Sequence, residues 1–83
     1  MEHNRPIFDY SKLLGKIRER GYTQERLCKK IGLGLTTFNL SLNNKRGFRQ
    51  EEIVAACDEL DIPMEDVSSY FFTNKFQISE IDE

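Results

Sequence analysis

Along the chain, short runs with apolar residues every three or four positions alternate with breaks rich in glycine, asparagine and proline. In DYSKLLGKIRER, residues 9–20, Tyr10, Leu13, Leu14 and Ile17 fall at helical spacing. Asp9 or Ser11 can cap the start of this run, and Gly21 stops it after a basic last turn. Thr23 is an N-cap candidate for a second helix over 24–31, QERLCKKI, whose Leu27, Cys28 and Ile31 share a face. Gly32 then ends it in a left-handed conformation. A third helix is predicted over 35–44. At about 100° per residue, Phe38, Leu42 and Leu35 form one apolar stripe. Thr36, Asn39, Leu40 and Asn43 lie on the other side, with Leu40 the apolar residue out of place. NNKRGF reads as loop by composition. QEEIVAACDEL, 50–60, is a fourth helix that turns Ile53, Ala56, Cys57 and Leu60 inward.

Pro63 suits the first turn of a short fifth helix over 63–70, with acids near its N-terminus and Val67, Tyr70 and Phe71 as anchors. In the closing FTNKFQISEIDE, Phe76 and Ile78 alternate with polar residues, which reads as an extended or mobile end. The whole pattern predicts an all-α, five-helix domain over 1–72 and a tail over 73–83. Eighty-three residues suffice for one small domain with a modest core. No apolar run approaches the roughly 20 residues of a membrane span, and MEHNRPIFDYSK lacks the apolar centre of a secretory signal. Cys28 and Cys57 lie in helical patterns. They read as buried thiols in a reducing, cytoplasmic setting, with a disulfide the less favoured alternative.

Several chemistries are excluded by spacing. A phosphate-binding loop needs GK[ST] after its glycines, and a dinucleotide loop needs G-x-G-x-x-G after a strand. Gly32 and Gly34 follow a helix and lack both a third glycine and a lysine. The single histidine, His3, lies far from either cysteine, so neither a zinc site nor a Cys/His nucleophile is readable. The reading is of a protein without catalysis, cofactor, metal or small-molecule substrate.

A helix, a tight glycine turn and a helix with a polar outer face make a helix-turn-helix over helices two and three. In this reading Gly32 reverses the chain, Leu33 plugs the turn into the core, and Gly34 lets the two helices approach closely. The segment TQERLCKKIGLGLTTFNLSLNNK resembles the Cro/cI-type (lambda repressor-like, XRE) helix-turn-helix family. Thr23, Gln24, Glu25, Leu27, Ile31, Gly32, Leu33 and Phe38 fit its pattern, with Cys28 replacing the usual alanine. The length and the YFF ending look most like small phage-encoded Cro-like regulators.

That resemblance implies double-stranded DNA as partner, read by helix 35–44 in the major groove, and a homodimer. It implies phosphate contacts from Gln24, Asn43, Lys45 and Arg46, and base contacts from Thr36, Asn39 and Leu40. Thr37 sits on a flank, to meet phosphate or cap the helix. Leu35 departs from the family's polar residue, and either rims the core or meets a thymine methyl.

Charge sharpens the choice. Residues 1–50 hold eleven Lys/Arg against four Asp/Glu, while 51–83 hold one against ten, so the net charge of −2 conceals a basic and an acidic half. A basic half suits a polyanion, and a DNA-binding repressor is the expected function. The alternative from another class is a protein-interaction module on the same fold, an anti-repressor or regulatory partner. Net negative charge and the leucines at positions 35 and 40 of the third helix favour that alternative.

Overall fold

Local capping chemistry divides the chain where the pattern predicts. The computed structural model describes residues 7–75. It contains α1 (Ser11–Glu19), α2 (Gln24–Ile31), α3 (Leu35–Leu42), α4 (Gln50–Leu60) and α5 (Val67–Phe71). The all-α, five-helix expectation holds. The described residues contain one isolated antiparallel bridge, Phe8 with Asn74, and no longer strand. None of the helices is long and apolar enough to cross a membrane.

Asp9 Oδ1 accepts hydrogen bonds from the Ser11 backbone N–H and hydroxyl, which starts α1. Gly21, at φ 82°, ends it, with the Tyr22 N–H bonded to the Ile17 carbonyl at 3.0 Å. Thr23 Oγ1 accepts the Arg26 N–H at 3.1 Å and caps α2. Gly32, at φ 75°, closes α2, and Leu33 N–H reaches back to the Cys28 carbonyl at 3.0 Å. Only glycine takes such a φ without Cβ strain. Gly34 is the N-cap of α3 in an extended conformation. A Cβ there would meet nothing nearer than Thr37 Oγ1 at 3.8 Å. The expected close approach of α2 and α3 at Gly34 is therefore absent. The three-residue turn sets the spacing of the helices, and that position has room for a side chain.

α3 stops at Leu42, two residues short of the predicted end, because Asn44 adopts φ 62° and Lys45 N–H bonds to the Leu40 carbonyl at 2.8 Å. A 3-10 turn over Met64–Asp66 follows Pro63, so α5 begins later than predicted and runs to Phe71.

Tyr10, Leu13, Ile17, Leu27, Cys28, Phe38, Ala56, Cys57, Leu60, Ile62 and Phe71 form the core. Both cysteines are buried free thiols, and burial raises both above the ordinary thiol pKa. Phe48, in the α3–α4 loop, stacks edge-on against Tyr10, Phe38 and Phe71, with ring centroids 5.4, 5.8 and 5.3 Å away. Lys12 of α1 lies over the Tyr70 ring at 4.8 Å, tying α1 to α5.

Residues 7–9 run between two partners. On one side the Asn44 side chain accepts the Phe8 N–H at 2.9 Å and donates to the Phe8 carbonyl at 3.0 Å. On the other, Asp9 N–H bonds to the Thr73 carbonyl and Lys75 N–H to the Ile7 carbonyl, each at 2.8 Å. The start of the expected tail is thus joined to the N-terminal segment. Phe76, Ile78 and the rest of that tail lie outside the described residues.

Two stability predictions follow from the turns. Gly32→Ala will cost about 1–2 kcal/mol, the penalty of a Cβ in the left-handed region, whereas Gly34→Ser will be neutral or slightly stabilising as a better cap. Urea denaturation of both variants checks this. Asn44→Ala will lose two hydrogen bonds to Phe8 and cost about 1–3 kcal/mol. An unfolding midpoint equal to wild type would remove the clip from the account of stability.

Candidate functional site

The α2–turn–α3 unit presents one continuous outer face. Thr36, Asn39 and Asn43 are exposed, Leu35 is 38% exposed and Leu40 43%. Thr37 and Gln24 are half-buried at its edge, and Lys45 is exposed beyond its end. The face is built from below. Phe38 is 1% exposed and anchors α3 in the core, which turns residues 36, 39, 40 and 43 outward. Leu35 belongs to this exposed surface, at the rim of the stripe that Phe38 centres.

α3 itself, LTTFNLSL, carries no charged side chain. The exposed cations Arg26, Lys29 and Lys30 are on α2, together with the exposed Glu25, and Lys45 is in the loop after α3. A face of this kind has hydroxyls, amides and two leucines at its centre and positive charge at its margin.

Arg46 is placed differently from the other candidates. Its guanidinium donates to Ser41 Oγ at 2.7 Å and to both Glu52 carboxylate oxygens, at 3.2 and 3.0 Å. Both side chains are largely buried. Glu52 Oε1 also accepts the Arg49 N–H at 2.9 Å, so the same carboxylate starts α4. Arg46 is therefore a strut between the end of α3 and the start of α4, and its fork is engaged inside the protein. This strut also accounts for Ser41, a fully buried polar residue in α3. Sequence reasoning missed Ser41, Glu52, Phe48 and Asn44 as the residues that fix the α3–α4 loop. The one available signal was a glutamate three residues after Arg49, at capping-box spacing.

Burial alone would raise the Glu52 pKa, but the bonds from Arg46 and from the Arg49 backbone outweigh it and hold it below its ordinary value of 4.5. Among the described residues, no group of three or more His, Cys, Asp or Glu side chains could hold a metal ion. A mostly apolar cavity of about 260 Å³ lies between Phe8, Tyr10, Phe48, Ile53, Phe71 and Phe72, with Asn44, Arg46 and Gly47 of the α3–α4 loop completing its wall.

This small all-α fold belongs to a defined class of proteins. The profile of the family described as protein of unknown function (DUF739) matches residues 7–74, and the chain belongs to that family. A solved structure is similar over most of both chains: the solution structure of the modulator of repression (MOR) of the temperate bacteriophage TP901-1 from Lactococcus lactis. It is 40% identical, with a TM-score of 0.68, over 78% of this chain and 88% of that chain. No curated protein matches the sequence.

These findings overturn the Cro/cI-type assignment. The residues that carried it, Thr23, Gly32, Leu33 and Phe38, are a helix cap, a left-handed turn and two apolar plugs. Such features specify how two helices join and do not distinguish a repressor from another protein built on the same joint.

Breaking the strut gives a direct test of its role. Arg46→Ala will cost about 1.5–3 kcal/mol, the range for a hydrogen bond to a charged group. Because the folded-state pKa of Glu52 is depressed, its contribution is complete above the unfolded value and disappears as pH falls through the folded one. Urea denaturation between pH 7 and pH 3 will therefore show a steeper acid loss for wild type than for Glu52→Gln. Parallel pH profiles would contradict the assignment.

Proposed function

We propose that this chain is a regulatory protein that acts by binding another protein, a DNA-binding repressor, and not as a repressor itself. The observation that carries the reading is the 40% identity, over most of both chains, with a modulator of repression. Three features of the site support it. The central helix of the outer face lacks the arginine and lysine that most often read guanine. Arg46, one of the two adjacent cations that follow that helix, is engaged by Ser41 and Glu52. The chain as a whole is net negative, which opposes non-specific attraction to DNA. In this reading the protein is not an enzyme and needs no cofactor.

A second reading, direct recognition of double-stranded DNA by a dimer, is favoured by one observation. Thr36, Asn39, Asn43 and Lys45 are all exposed on a single face beside Gln24. The two readings separate in one experiment. The purified chain is mixed with the repressor encoded beside its gene, and separately with DNA from the same region. Size-exclusion chromatography with light scattering will show a complex with the repressor, and gel shifts with the chain alone will show no retarded band. A band that disappears in Asn39→Ala and Lys45→Ala, with no repressor complex, would establish the second reading instead.

A further inference from the structure

Acids are concentrated in the second half of the sequence, and that half carries apolar residues that the fold leaves uncovered. α4 turns Ala56, Cys57 and Leu60 into the core. Its opposite side presents Glu51, Val54 and Asp58, three and four residues apart and so on one stripe of the helix. Val54 is 46% exposed. Together with Gln50 and Ala55, the stripe lines a shallow depression of about 500 Å³. Asp58 also borders a second depression, formed with Ile62 and Pro63. Just beyond it Met64 is 56% exposed, followed by the exposed Glu65 and Asp66.

Local structure accounts for Glu51, an acid in the first turn of α4, but not for Val54 or Asp58. Valine is a poor helix former, so Val54 adds nothing to α4 as an exposed residue. Other acids nearby have internal partners: Glu52 has Arg46, Asp61 has Arg20, and Glu59 accepts the Tyr22 hydroxyl. Glu51 and Asp58 make no ion pair among the described residues. The result is an apolar centre flanked by carboxylates that have no ion-pair partner among the described residues.

A partner that fits must be cationic at the margin and apolar at the centre. A DNA-binding repressor carries a cationic surface by necessity, since it neutralises phosphates with Lys and Arg. The exposed Lys29 and Lys30 of α2 and Lys45 after α3 would repel such a surface. We infer that the Glu51–Val54–Asp58 stripe of α4, with Met64 beside it, is the surface on which this chain receives the basic face of its repressor partner. The inference rests on the function proposed above and adds the docking face and the chemistry of its occupant.

Calorimetric titration of the full chain into the repressor encoded beside its gene tests it. Glu51→Lys/Asp58→Lys will weaken binding about tenfold or more, as expected for reversed charge across an interface. Val54→Ala will weaken it severalfold, and affinity will fall as salt rises from about 50 to 300 mM. Asn39→Ala, on the α3 face, will bind as wild type does. Circular dichroism melts will show these exposed variants folded. Wild-type affinity retained by the double charge reversal overturns this inference alone, because the complex itself persists. Failure of the wild-type chain to bind the repressor overturns both this inference and the function on which it rests.

Discussion

The ring of Phe48 is the contact on which the arrangement of helices depends. It lies in a loop, yet it meets Tyr10 before α1, Phe38 of α3 and Phe71 of α5 in edge-on packing. Each such pair contributes about 0.5–1.5 kcal/mol beyond the area it buries. One side chain therefore connects three helices that are distant in sequence. The two residues that alternate with it hold the loop from other directions. Asn44 binds the backbone of Phe8, and Arg46 binds Ser41 and Glu52. The loop over 43–49 is thereby fixed to the N-terminal segment, to the core and to α4.

That fixation determines what α3 can present. Its inner side is held by Phe38 and Ser41, so its outer side is Leu35, Thr36, Asn39, Leu40 and Asn43 with no freedom to rotate. The helix-turn-helix is thus a rigid way of displaying one surface, and the chemistry of that surface is a separate matter. Here it is neutral, with cations only at its edges. The strut removes Arg46 from that edge because a partly buried carboxylate at the start of α4 requires a cation beside it. The same requirement that stabilises the loop weakens the case for a phosphate contact.

The segregation of charge has a structural counterpart. Among the described residues, the basic residues of the first half lie mostly on α1, α2 and the loop after α3, and the acids of the second half lie on α4 and in the segment between α4 and α5. Cross-pairs such as Arg20 with Asp61 join the halves at a few points. For the function proposed above, the acids of α4 are the part that fits, because they repel DNA and attract a cationic protein surface.

Much of the fold was legible in the sequence. Thr23, Gly21 and Gly32 marked helix ends because capping and left-handed turns are local chemistry, decided within five or six residues. The 3.6-residue periodicity located five helices and the inward positions of α1, α2 and α4 for the same reason. Family membership was less legible, since the cap, turn and plug residues that suggested a repressor are shared by any protein that joins two helices this way. The roles of Phe48, Asn44, Arg46 and Ser41 could not be read at all. Their partners are Tyr10, Phe8, Glu52 and Phe71, set by how α1, α4 and α5 pack around the loop, and no local pattern encodes which ring or carboxylate will be waiting there. The sequence by itself determined where each helix begins and which side of it is apolar. Only the tertiary structure decided which polar residues of the helix-turn-helix remain available to a partner, because availability depends on long-range contacts that engage one arginine and leave its neighbours exposed.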